Sequence, residues 1–183
     1  MNPPEPKQRF EEIYMANYAA VMSYVRRRTD SPDDAADALS ETFATAWRKL
    51  DEVPRGDEAR LWLYGVARRV LANQRRGDLR RTALAVRLRT ELTAWAESVA
   101  GEDDPDAVRD AFKRLSHEDR EVLALVGWEG LSPAEIAVVL GCSRPAVRVR
   151  LHRARKRLAK ELASAGLDVS RYGARAVDLV EAK

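Results

Sequence analysis

The hydrophobic residues recur every three or four positions along most of the chain, a spacing typical of amphipathic helices. In the first half this pattern predicts helices over 9–28, from 31 to about 50, and over 58–76. Ser31-Pro32 is typical of a helix start. A serine side chain accepts a hydrogen bond from one of the first amides, and proline fits the first turn because the amide hydrogen that it lacks has no partner there. No stretch alternates convincingly as a β-strand does, so the sequence predicts an all-α fold.

The apolar stripes of these helices predict which residues are buried. In the first helix they are Phe10, Ile13, Tyr14, Val21, Tyr24 and Val25. In the second helix they are Ala36, Leu39, Phe43, Trp47 and Leu50. In the third helix they are Leu61, Trp62, Val66, Ala67 and Val70. Each set lies on one side of its helix, because residues three or four positions apart share a face of an α-helix.

Proline and glycine mark the breaks between the predicted elements. Pro54 and Gly56 indicate a loop over 51–57, and Gly77 is expected to end the third helix. Further on, apolar residues between 84 and 99 fit one face of another helix.

The composition also predicts the domain organisation. Residues 101–106 are too polar to bury anything, and the whole segment 77–106 is a predicted flexible linker that contains more acidic than basic residues. We therefore expect two small helical domains, over 1–76 and 107–163, followed by a tail of unknown role over 164–183.

The second half contains a helix-turn-helix pattern. Ser132 and Glu135 form a capping box at the start of a helix of about two turns. Gly141 then supplies the positive φ that a tight turn needs, and Ser143 is the expected N-cap of the next helix. Two helices joined by such a turn are typical of DNA-binding proteins.

The helix after this turn is predicted to have an apolar side and a basic side. The apolar stripe consists of Val147, Leu151, Ala154, Leu158 and Leu162. A recognition helix inserts its N-terminal residues into the major groove. The candidates for base contacts are therefore Ser143, Arg144, Arg148 and His152. The candidates for phosphate contacts further along the helix are Arg153, Arg155, Lys156 and Arg157.

The charge distribution supports a polyanionic partner, although the net charge is only +3. Residues 144–160 contain eight basic residues and no acidic one. A solvated helix face explains such a run equally well when it is considered alone.

Other classes are excluded by composition. A single cysteine, Cys142, rules out an intramolecular disulfide framework and a thiolate zinc cluster, and there are only two histidines. No catalytic constellation is evident, so we expect a non-enzyme without cofactor or metal. Without a signal peptide or an apolar run of about 20 residues, a cytoplasmic protein without membrane insertion is expected.

Several motifs, in order and spacing, resemble the extracytoplasmic-function (ECF) sigma factors of bacterial RNA polymerase. They read DAADALSETF at 34–43, WLYGVAR at 62–68, REVL at 120–123, EIA at 135–137 and VRVRLHRAR at 147–155. The resemblance covers roughly two thirds of the chain. It departs from the family's usual pattern at Ser40, where glutamine is common, and at Arg69 and Asn73.

The resemblance implies a role for each domain. The first domain would bind the clamp helices of core RNA polymerase through Asp37, Ser40 and Glu41 and would melt the −10 element. The loop that captures a flipped-out base would comprise Asp51, Glu52, Val53, Pro54, Arg55, Gly56 and Asp57. The track for the DNA backbone would comprise Arg60, Arg68, Arg69, Arg75 and Arg76. The second domain would read the −35 element.

The resemblance also implies three partners: core RNA polymerase, promoter DNA and an anti-sigma factor. Two alternatives stay open at this stage. One is a stand-alone helix-turn-helix regulator that binds duplex DNA without polymerase. The other is a helical adaptor whose basic helix binds an acidic protein.

Overall fold

The computed structural model describes residues 5–29, 31–81 and 105–166, and these belong to two compact units. All regular elements in these ranges are helical, which confirms the predicted all-α fold with a helix-turn-helix in the second unit. No helix in the same ranges is long and apolar enough to cross a membrane. The predicted helix between 84 and 99 and the tail beyond 166 lie outside the described residues.

In the described part of the first unit, three helices all contact one another. They are α1 (Pro6–Arg26), α2 (Pro32–Arg48) and α3 (Glu58–Arg81), and a 3-10 turn over Leu50–Glu52 follows α2. The predicted start of α2 is confirmed, because Ser31 Oγ accepts a hydrogen bond from the Asp34 amide at 3.0 Å. In the core, the rings of Tyr24 and Tyr64 stack with their centroids 4.8 Å apart.

The buried face of α2 differs from the predicted stripe. Ala36 and Trp47 are exposed, Trp47 by 49%. The buried face instead comprises Ala35, Ala38, Leu39, Thr42, Phe43 and Ala46. This face can be buried because its three alanines let α2 pack closely against the neighbouring helices. Thr42 can also be buried, because its hydroxyl donates to the Ala38 carbonyl at 2.6 Å.

The third helix is longer than the sequence indicates. It continues through Gly77 to Arg81, because a glycine inside a helix costs only about 1 kcal/mol. Trp62 and Val70 are half-buried, whereas Leu63 and Tyr64 are fully in the core. This helix packs on both α1 and α2, so its buried face is wider than a single stripe.

Residues 105–166 of the second unit form four helices, and the last one contacts the other three. They are α4 (Pro105–Arg114), α5 (His117–Gly127), α6 (Pro133–Leu140) and α7 (Arg144–Ser164). Residues 105 and 106, expected to end the linker, instead begin α4. The predicted apolar stripe of α7 is confirmed, since all five of its residues are buried. Leu158 and Leu162 pack on Phe112 and its neighbours from α4.

Candidate nucleic-acid interface

The helix-turn-helix is fixed by local hydrogen bonds. Ser132 and Glu135 form the predicted capping box: the Glu135 amide donates to Ser132 Oγ at 3.3 Å, and the Ser132 amide donates to Glu135 Oε2 at 2.8 Å. At its other end, α6 stops at Gly141, whose φ of +62° lies in the left-handed region. The next amide, of Cys142, bonds back to the Ala137 carbonyl at 3.0 Å. These bonds set the direction in which α7 begins.

The start of α7 is capped as predicted. Ser143 Oγ accepts from the Ala146 amide at 3.3 Å, and Pro145 lies in the first turn. Val147, one turn in, is completely buried and holds this end of α7 on the rest of the unit. The cap and Val147 therefore hold the N-terminal turn of α7 on one side, while its other sides stay exposed.

Most of the predicted DNA-contacting residues of α7 are exposed. The exposed ones are Ser143, Arg144, Arg148, His152, Arg153, Lys156 and Arg157. Because Arg144, Arg148 and His152 are spaced by four residues, they form a row along one face. Arg155 differs: it is half-buried, and its desolvation lowers the pKa of its guanidinium.

Arg157 is engaged within the protein. Its Nη1 lies 2.9 and 2.7 Å from the two carboxylate oxygens of Asp119, which lies in the first turn of α5 and whose side chain is only 8% exposed. The Ser116 hydroxyl also donates to this carboxylate, at 2.9 Å. The guanidinium predicted to contact phosphate thus ties α7 to α5.

The predicted −10 loop follows the 3-10 turn of the first unit. Asp51, Glu52, Arg55, Gly56 and Asp57 are exposed, and Pro54 is half-buried.

Val53 is the exception in this loop, because it is 2% exposed and belongs to the core. Its side chain is therefore not accessible to DNA in this structure, unlike the rest of the predicted loop. The 3-10 turn directs this apolar side chain inward, where removing its surface from water lowers the free energy of the folded protein.

Between α1 and this loop runs a groove of about 520 Å³. Two residues that the sequence analysis missed line it, Arg9 and Asn17. Arg9 Nη2 donates to the Val53 carbonyl at 2.7 Å, and its Nη1 lies 3.8 Å from Asp51 Oδ1. Asn17 had a detectable signal, because it is the polar member of the apolar stripe between Tyr14 and Val21.

The arginines of α3 are accessible to different degrees. Arg60, Arg69 and Arg76 are exposed, whereas Arg68 and Arg75 are half-buried. The spacing of seven residues between the pairs 68, 69 and 75, 76 places these four arginines on one side of α3.

The predicted polymerase-binding residues lie together on the exposed face of α2. Asp37, Ser40 and Glu41 are all exposed, and their spacing of three and four residues places them on one side. Glu41 already has a partner, because Arg48 Nη2 lies 2.7 Å from its Oε1. Hydrogen bonding and charge from Arg48 lower the pKa of the Glu41 carboxyl.

The described part of the chain contains no group of three or more histidine, cysteine or acidic residues placed to hold a metal ion. The thiol of Cys142 is half-buried, with Arg150 Nη1 at 3.9 Å from its sulfur.

Comparison with protein families matches both units. Residues 13–81 match Sigma-70 region 2, and residues 106–158 match Sigma-70 region 4. The ECF RNA polymerase sigma factor SigL of Mycobacterium tuberculosis is 30% identical over 160 residues, which cover 85% of this chain and 89% of that protein. The sigma-E factor of Streptomyces coelicolor is 31% identical over 161 residues, with 87% and 89% covered.

Solved structures show the same fold. The sigma factor RpoE of Bartonella quintana, in complex with the anti-sigma factor NepR, gives a TM-score of 0.61 at 24% identity and covers 84% of this chain and 96% of that one. CnrH, in complex with the cytosolic domain of CnrY, gives a TM-score of 0.58 at 26% identity, with 85% and 88% covered. The region 2 match also disfavours a stand-alone helix-turn-helix regulator. The chain therefore belongs to the ECF RNA polymerase sigma factors, the alternative sigma factors that direct promoter recognition and transcription initiation.

Proposed function

We propose that the two units divide promoter recognition between them. The first domain, over 1–76, binds core RNA polymerase and the −10 element, and the second, over 107–163, reads the −35 element. The protein acts in the cytoplasm as a binding subunit without an active site of its own. The observation that carries this proposal is the exposed basic row on a capped helix that begins at a helix-turn-helix turn.

The −35 contacts come from the N-terminal half of α7. Arg144, Arg148 and His152 share one exposed face, and an arginine there can pair with O6 and N7 of guanine. Arg153 and Lys156 lie beside this row and further from the turn, where phosphate contacts are expected. Arg155 is a weaker candidate because its guanidinium is partly desolvated in the free protein.

The −10 contacts come from the loop and from α3. A groove beside the loop provides a cavity that exists before DNA binds, which lowers the cost of holding an extruded base. The arginines at 68, 69 and 76 follow one side of α3 and offer positive charge to the displaced strand.

Core polymerase is bound by the acidic and polar face of α2. Asp37, Ser40 and Glu41 project from one exposed side of a helix whose opposite side is packed against α1 and α3. An anti-sigma factor is a further partner in our proposal. It is supported by RpoE and CnrH, which were each solved with a bound protein.

The test is transcription from a promoter that this protein selects. Purified protein plus core RNA polymerase should initiate at a defined start site, and core polymerase alone should not. Binding of the protein alone to an operator, without initiation when polymerase is added, would refute the proposal in favour of a stand-alone regulator.

The residue assignments need a separate measurement. Glu41→Lys together with Asp37→Lys reverses the charge of the α2 face and should weaken binding to core polymerase. The same reversal at Asp110 and Glu118, two exposed acidic residues of the second unit, provides the matched control and should leave core binding by the first unit unchanged. Equal effects of both pairs would contradict the assignment.

A further inference from the structure

The groove between α1 and the loop contains one buried polar side chain that the assignments above do not use. Asn17 is 8% exposed and lines the groove. Its Nδ2 donates to the Ile13 carbonyl at 2.8 Å. Only the amino end of an amide can donate to a carbonyl, so this bond fixes which way the amide is turned.

The carbonyl end of Asn17 is consequently left for the groove. Among the described residues, the bond to Ile13 is the only hydrogen bond that the Asn17 side chain makes. The Asn17 side chain is nearly buried, but its carbonyl oxygen is not a fully enclosed atom, so a molecule in the groove can reach it. A ligand that enters the groove can supply the missing donor.

The rest of the groove suits a flat heterocycle attached to a polyanion. Ile13, Ala20 and Pro54 provide apolar surface, and the three arginines of the lining, at 9, 55 and 60, outnumber its two carboxylates, at 12 and 57. The volume of about 520 Å³ lies within the roughly 300–1,000 Å³ typical of small-ligand sites. An unstacked nucleobase with its phosphates outside meets both conditions.

We propose that Asn17 is a specificity-determining residue for the −10 element, accepting a hydrogen bond from the exocyclic amino group of a captured cytosine or adenine. This inference rests on the proposed function of the loop. Thymine presents a carbonyl oxygen where cytosine and adenine present an amino group, and two acceptors repel. Helix α1 therefore forms the base-reading wall of the groove.

Arg9 is the positioning residue of the same site. It is part of α1, yet it bonds the Val53 carbonyl and pairs with Asp51, which come just before the loop residues that line the groove. The guanidinium thereby fixes the distance between α1 and the loop without facing one particular edge of the base. Loss of the Arg9 guanidinium should lower open-complex formation by the same factor with every base. Loss of the Asn17 amide should change the preference for one base over another.

The experiment uses holoenzyme reconstituted from core polymerase and the full chain. Promoter DNA carries a pre-melted −10 region in which each non-template position is in turn C, A, G or T, and open-complex formation is measured. With the natural protein, one position should favour cytosine or adenine over thymine by about fivefold, the value of one hydrogen bond. Asn17→Ala should reduce that preference to near unity.

Three further variants separate a base contact from a structural effect. Asn17→Ser keeps a donor for the Ile13 carbonyl, as Thr42 does toward Ala38, and should lose the preference as Asn17→Ala does. Arg9→Gln should lower open-complex formation with all four bases alike. Lys7→Ala removes an exposed charge of α1 and should behave as the natural protein does.

Thermal melting and core binding of each variant identify misfolding. The inference is overturned if both Asn17 variants melt normally and keep the natural base preference, or if they lower opening equally with every base. Failure of the natural holoenzyme to open any promoter would overturn the proposed function and this inference together. A working holoenzyme with unchanged preference rejects the Asn17 role alone.

Discussion

Arg48 Nη2 lies 2.7 Å from Glu41 Oε1 on the exposed face of α2, and the Thr45 hydroxyl reaches the same oxygen at 3.4 Å. The guanidinium favours the ionised carboxylate, which lowers the pKa of Glu41. We expect Arg48→Ala to raise that pKa toward its ordinary value. A pH titration of the Glu41 side-chain carbon by NMR measures the shift.

The sign of the accompanying stability change follows from the same shift. Because the pKa of Glu41 is lowered in the folded protein, the stabilisation by Arg48 is present above the ordinary pKa and is lost as pH falls through the lowered one. Lys49→Ala is the control, since Lys49 pairs with Glu52 at 2.9 Å. A titration of Glu41 that is the same with and without Arg48 would contradict the assignment.

Arg148 tests the −35 assignment. If its guanidinium pairs with guanine, Arg148→Ala should cost about 1–3 kcal/mol on the preferred −35 sequence and much less on unrelated duplexes. Fluorescence anisotropy with both duplexes measures the difference. Lys160→Ala, on the same helix but far from the turn, is the control and should show no sequence dependence. A loss with Arg148→Ala that is equal on every duplex would make it a phosphate contact.

Val53 and Arg55 should behave in opposite ways, although only one residue separates them. Val53→Ala removes a core side chain and should lower the free energy of unfolding by about 1–3 kcal/mol. Arg55→Ala should leave that free energy within about 0.5 kcal/mol and should slow promoter opening while sparing −35 binding. Urea denaturation and permanganate footprinting of the melted region measure the two effects. Unchanged opening with Arg55→Ala would remove that residue from the −10 site.

The ion pair between Arg157 and Asp119 should contribute to stability. Removing the guanidinium leaves a nearly buried carboxylate uncompensated, which for a fully buried pair costs about 3–5 kcal/mol. Because the Arg157 side chain is 59% exposed, solvent screening reduces the expected cost of Arg157→Ala to about 1–2 kcal/mol.

Hydrogen exchange in α5 and α7 reports on that unit specifically. Arg153→Ala is the matched control, because Arg153 is exposed and has no ion pair among the described residues. Equal protection in the two variants would show that the pair does not stabilise the folded unit.

The features that the sequence predicted well are local. Ser31, Ser132 and Ser143 accept from amides three residues later, and Gly141 adopts its turn conformation without help from distant residues. The apolar stripe of α7 was equally predictable, because helix α7 packs against the rest of its unit along one side. Local chemistry at fixed spacing is what a single sequence displays.

The features that were missed depend on contacts between distant parts of the chain. Trp47 is exposed because the packing of α2 against both neighbouring helices determines which face is buried. The hydrophobic periodicity alone does not distinguish this face from one rotated about the helix axis by a single residue. Arg9 meets the Val53 carbonyl across 44 residues, and Arg157 meets Asp119 across 38. No periodic pattern connects residues that far apart.

The ion pair of α7 has a consequence for the ionic-strength dependence of promoter binding. Each phosphate neutralised by a free cation releases condensed counterions and adds about 0.9 to the slope of log affinity against log salt. Of the eight basic residues over 144–160, Arg157 is already neutralised by its ion pair with Asp119. At most seven of them can therefore neutralise phosphates and release counterions. The measured slope for the second unit should therefore be smaller, by about one, than the count of basic residues implies.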